Sequence, residues 1–70
     1  MAVDYEVLDY TIKSLVEMLM KKYSSSYDSS LEFVLNSRLY ANLLNKPDLL
    51  EEGDIYLFSL LDKEYTDLNT

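Results

Sequence analysis

The chain contains no cysteine and no histidine. Without cysteine there is no disulfide and no thiolate metal site. Without histidine the commonest general base, the commonest metal ligand and the usual pH switch are all missing. Tryptophan is absent too, and there is a single glycine, Gly53, and a single proline, Pro47. No run reaches the roughly 18 apolar residues needed to cross a bilayer. No basic segment precedes an apolar run near the start, so no signal peptide is expected. The lack of cysteine fits a cytoplasmic protein.

Bases are scarce as well. Six lysines and arginines face 13 acids, for a net charge of −7. From Asp48 onward the acids are Asp48, Glu51, Glu52, Asp54, Asp62, Glu64 and Asp67, against Lys63 alone. An acidic end repels phosphate backbones and anionic lipid, so neither nucleic acid nor membrane is expected as a partner. Seventy residues make one domain, 1–70, and one this short buries only about 60% of its unfolded surface. Small domains usually add a disulfide, a metal or a partner subunit, and composition leaves the partner subunit.

What is present is helical periodicity. From Tyr5 to Tyr23, the residues Tyr5, Leu8, Ile12, Leu15, Leu19 and Tyr23 recur every three or four positions, one face of an α-helix that Val16 widens. Asp4 is a good N-cap, with Glu6 in the first turn to suit the helix dipole. Glu6, Asp9, Lys13, Glu17 and Lys21 take the opposite face, with Asp9–Lys13 and Glu17–Lys21 at i,i+4. The serines and acid of residues 24–28 predict a loop. Ser29 and Glu32 read as a capping box opening a second helix. That helix is expected in two pieces, about 30–36 and 38–45, because the apolar positions scatter and Asn36-Ser37 favours caps over helix interiors. Pro47 ends it, since the residue before proline avoids the helical region. A last helix over about 55–65, capped by Asp54, presents Leu57, Phe58, Leu61 and Tyr65, and residues 66–70 are expected to fray. No alternating strand pattern and no hairpin signal survives. The expected fold is all-α: a small bundle of three main helices with the middle one kinked or interrupted. Its expected core is Leu8, Ile12, Leu15, Leu19, Leu35, Leu39, Leu43, Leu57, Phe58 and Leu61.

The constellations that carry chemistry are thin. Glu51, Glu52 and Asp54 cluster around Gly53, but a catalytic carboxylate needs burial or a rigid like-charged neighbour, and these read as a wet turn. With Asp48 they do not follow the calcium-loop order. A helix-turn-helix reading of residues 38–44 offers one arginine and a flanking Lys46, too few phosphate contacts. No residue is assigned to catalysis, to a cofactor or to a metal.

Tyrosine is the exception, at seven residues. Tyr5, Tyr23, Tyr40 and Tyr65 fall on expected core faces. Tyr10 and Tyr56 do not, and exposed tyrosine is enriched at protein interfaces. A second stripe on the first helix, Val7, Thr11, Ser14 and Met18, suits a close helical partner. Val7, Tyr10, Thr11, Met18 and Tyr56 are therefore the candidate partner-binding residues, with a second copy of the chain as the expected partner.

The second half, Asn36-Ser37-Arg38-Leu39-Tyr40-Ala41-Asn42-Leu43-Leu44 followed after a loop by Ile55-Tyr56-Leu57-Phe58-Ser59-Leu60-Leu61-Asp62-Lys63-Glu64, resembles the C-terminal half of a group of short, acidic, all-helical bacterial proteins of unknown function. The resemblance implies a bacterial or phage-related origin and an antitoxin-like or accessory role. It transfers no site residue. The expected function is a non-enzymatic protein-interaction module, a regulatory or accessory subunit acting as a homodimer. The alternative is an acidic inhibitor, antitoxin-like or a nucleic-acid mimic, that blocks a basic site on its partner.

Overall fold

The computed structural model describes residues 4–68. They form four α-helices and one 3-10 segment: α1 (Tyr5–Tyr23), α2 (Tyr27–Leu35), α3 (Arg38–Asn45), the 3-10 turn Pro47–Glu52, and α4 (Asp54–Leu68). There is no strand among the described residues. The expected fraying at residues 66–68 is corrected, since α4 continues to Leu68; residues 1–3 and 69–70 lie outside the described part. At 1.5 Å per residue α1 is about 28 Å long, and it is the spine on which α2 and α4 pack. α3 and the 3-10 turn close one end against α4.

Local signals set most boundaries. Asp4 accepts from the backbone amides of Glu6 and Val7 at 3.1 and 3.3 Å, capping α1 as its sequence implies. Asp9 and Lys13 pair at 3.4 Å, while Glu17 and Lys21 form no ion pair. Ser24 ends α1 in the left-handed region, at φ 54, a conformation that costs a non-glycine residue about 1 kcal/mol. The loop serines hold the corner: the hydroxyls of Ser25 and Ser30 lie 2.6 Å apart.

The start of α2 differs from the expected one. Ser26, not Ser29, is the N-cap, and its hydroxyl accepts from the Ser29 amide at 3.2 Å. A serine run offers several caps, and the earlier one adds a turn that carries Tyr27. Glu32 does not close a capping box; its carbonyl instead accepts from the backbone and side-chain amides of Asn36. Helix geometry then lapses at Asn36 and Ser37. The Ser37 hydroxyl donates to the Val34 carbonyl at 2.6 Å and accepts from the Tyr40 amide at 3.1 Å, so one side chain closes α2 and opens α3. Glu64, reaching over from α4, accepts from the amides of Arg38 and Leu39 at 2.8 and 2.9 Å. Lys46 leaves the helical region at φ −132, ψ 78, consistent with the clash that proline imposes on αR in the preceding residue. Gly53 sits at φ 91, ψ 156, a region open almost only to glycine. It occupies the cap position, and Asp54, expected as the cap, is the first residue of α4.

The core consists of Leu8, Ile12, Leu15, Val16, Leu19, Val34, Leu39, Leu43, Leu57 and Leu61. Two residues expected there are not in it. Leu35 is 44% exposed and Phe58 is half-buried. Ser30 and Val34, four residues apart, turn inward from α2. That rotation carries Leu31 and Leu35 about 80–100° round the helix, toward solvent. Tyr5 is a third correction: at 71% exposure it is not a core residue, because α2 is shorter than α1 and leaves its first turn uncovered.

Candidate functional site

Two clusters draw attention, and only one is a surface. The first ties the end of α1 to α4. Lys22 Nζ lies 2.6 Å from Asp62 Oδ2, and the Tyr23 hydroxyl donates to Asp62 Oδ1. The Tyr23 ring stacks on Tyr65 at 4.2 Å between centroids, and Phe33 meets Tyr65 edge-on at 5.1 Å. The Lys22 hydrogen bond, then that of Tyr23, holds the Asp62 carboxyl below the usual carboxylate range. The bond to Asp62 pushes Lys22 up, and the same partner, ahead of burial, pushes Tyr23 up. All three shifts move away from neutrality, as in a structural latch; a proton-transfer group needs a value near the working pH.

The latch has a pH signature. A carboxylate depressed in the folded state stabilises above its unfolded pKa, and that contribution fades as pH falls through the folded value. The raised lysine and phenol contribute below their ordinary values near 10, and lose that contribution as pH climbs through the raised ones. Asp62→Asn is therefore expected to melt lower than wild type at pH 7, with the gap closing in acid as pH falls through the depressed Asp62 value, below the ordinary carboxylate range. Thermal melts of both proteins across pH check this. A gap that stays constant into acid would remove the charge from the explanation.

The second cluster is an open groove of about 580 Å³ between α1 and α2, closed at one end by Tyr40 of α3. Tyr5, Leu8, Ile12 and Val16 form the α1 wall, and Tyr27, Leu31 and Leu35 the other. The second wall follows from the Ser26 cap: with the helix starting at Tyr27, positions 27, 31 and 35 fall at i, i+4, i+8 on one stripe. Tyr27 is 53% exposed, and Tyr5 and Leu35 are exposed as well, so three large side chains stand exposed along the groove. Glu6, Asp9 and Lys13 form the rim. Small-molecule sites usually enclose their ligand and converge polar groups on it. This groove is open, and its floor is aliphatic.

The five residues singled out from sequence do not line the groove. Thr11 is 2% exposed, so its expected contact with a partner is corrected: the chain's own helices cover it. Met18 is half-buried, while Val7, Tyr10 and Tyr56 are exposed. Sequence reasoning missed Tyr5, Tyr27 and Leu35 by assigning two to the core and one to a loop. The i, i+4, i+8 stripe from Tyr27 was the available signal, hidden by placing the cap at Ser29.

Among the described residues no group of three or more acidic side chains gathers as a metal site requires, and no helix is long and apolar enough to cross a membrane. No known family model matches the chain, and no curated protein and no solved structure matches it either.

Proposed function

We propose that this chain is a non-enzymatic protein-interaction module, a cytoplasmic regulatory or accessory subunit, whose docking surface is the α1–α2 groove. In this reading α2 and α3 together are the interrupted middle member of a three-helix bundle, and the groove is the side of that bundle left for a partner. The observation that carries it is Tyr5, Tyr27 and Leu35 exposed at one groove. Single exposed apolar residues are ordinary, whereas a contiguous patch with a polar rim marks an interaction site. Self-association through the outer side of α1 is the narrower form of the proposal, and it rests on Val7 and Tyr10 without Thr11. The inhibitor reading draws less support. Asp62 and Glu64, two of the seven C-terminal carboxylates, are engaged inside the fold, so they are not free to imitate phosphates.

The test is a photo-crosslinking amino acid placed at Leu35, in the groove, and separately at Ser59, exposed on α4, in the native host. A discrete adduct from position 35 and none from position 59 is the expected outcome. An adduct at twice the chain's 8.2 kDa identifies self-association; any other mass identifies a different partner. Equal labelling from both positions, or none from position 35, removes the groove from the account.

A further inference from the structure

The groove's electrostatics narrow its occupant, given the interaction-module reading above. Both shoulders are acidic. On α1 the rim holds Glu6 and Asp9 beside a single base, Lys13, which is already bound to Asp9. On α2 the exposed acids are Asp28 and Glu32. Asp28 is seven residues before Leu35, so the two lie about 20° apart on the helix. Glu32 lies about 100° round the helix from Leu31, beside Ser29, Phe33 and Asn36 and away from the groove. The unpaired carboxylates beside the apolar floor are thus Glu6 and Asp28, while Asp9 and Lys13 neutralise each other. Groove-to-groove pairing of two copies would set those carboxylates against their own copies, within chains of charge −7 each, and self-repulsion opposes it.

The shape narrows it further. Both walls are helix stripes with one side chain per turn, the 5.4 Å pitch that the apolar face of a third helix repeats. From Tyr5 to Val16 the floor runs about 16 Å, some three helical turns. We infer that the groove receives an amphipathic helix of about three turns from another protein, with lysine or arginine flanking its apolar face. The apolar residues enter between Tyr27, Leu31, Leu35 and the α1 wall, as in helix-in-groove recognition. The flanking cations meet Glu6 on one side and Asp28 on the other. Such pairing speeds encounter and fixes orientation.

The probe is a synthetic 14-residue amphipathic helix with leucine on one face and lysine beside it, measured against a twin carrying glutamate in place of lysine. Fluorescence anisotropy gives affinity, and amide shifts in heteronuclear spectra give location. The lysine peptide is expected to bind at least tenfold more tightly, to weaken as salt rises, and to shift residues around Tyr5 and Leu35. The double variant Glu6→Lys with Asp28→Lys alters two exposed side chains that bond nothing within the fold, and circular dichroism confirms that it stays helical. It should erase or reverse the preference. Equal affinity for both peptides at the groove overturns the cationic occupant and leaves the interaction-module reading standing. A lysine preference that survives the charge swap overturns it as well. No binding of either peptide overturns the helical occupant; with no adduct at position 35 in cells, the groove falls as the docking surface too.

Discussion

Leu15→Ala and Leu61→Ala are each expected to destabilise the chain by about 2–5 kcal/mol. Both side chains are fully buried, Leu15 midway along α1 and Leu61 on the facing helix α4. Each truncation removes three methyl or methine carbons from contact and leaves a space that rigid neighbours fill only in part. The consequence is large because the chain is small. At about 0.05–0.15 kcal/mol per residue, a domain of this size holds roughly 4–10 kcal/mol in all. With a urea slope near 1 kcal/mol/M, the midpoint should fall by about 2–5 M, close to complete unfolding. Midpoints that move by less than about 0.5 M in both variants would place the core elsewhere.

The second large effect is expected at the start of α3. This helix has eight residues, too short to hold together by propensity. Its first amides are satisfied from two directions: Ser37 takes that of Tyr40, and Glu64 takes those of Arg38 and Leu39 from across the bundle. Hydrogen bonds to a charged acceptor contribute about 1.5–3 kcal/mol, and a negative charge at a helix N-terminus also suits the dipole. Glu64 is partly exposed, so the lower part of that range applies. Glu64→Ala is expected to cost about 2 kcal/mol, and Glu64→Gln about half as much because one acceptor oxygen remains. Ser37→Ala adds about 1 kcal/mol as a lost cap. Hydrogen exchange at Leu43 and its neighbours should quicken ahead of that in α1. If Glu64→Ala leaves both the midpoint and α3 exchange unchanged, the tertiary cap contributes nothing.

Part of this structure was legible in the chain. α1 follows from its periodicity and from Asp4, signals confined to a few consecutive residues. The lapse at Asn36-Ser37 follows from side chains that compete for backbone bonds, and the end of α3 from Pro47. Elsewhere the local code was degenerate. Ser24, Ser25, Ser26, Ser29 and Ser30 include several possible caps, and the choice of Ser26 turned Val34 inward and Leu35 outward. Tyr5 reads as core because its spacing is right; its exposure depends on how far α2 reaches, which no local pattern states. Glu64 as a cap for α3 and Asp62 as the partner of Lys22 and Tyr23 are long-range matches between charges and amides. A tally of acids can only count them as negative. The groove was hidden for the same reason: it exists between elements, and each wall alone resembles an ordinary helix face.

The central claim is that the groove side chains are held at the surface for a partner and not for folding. The direct measurement is the urea midpoint of the double variant Tyr27→Ala with Leu35→Ala, taken beside that of Leu15→Ala. Exposed side chains away from caps and core change stability by about 0.5 kcal/mol each, and alanine suits a helix. The account predicts a double variant within about 1 kcal/mol of wild type that, unlike wild type, yields no adduct in the native host from a photo-crosslinking residue placed at Leu31, which also lines the groove. A loss of about 2–5 kcal/mol, the size of a core truncation, would show that Tyr27 and Leu35 pack inside a closed domain, and would contradict it.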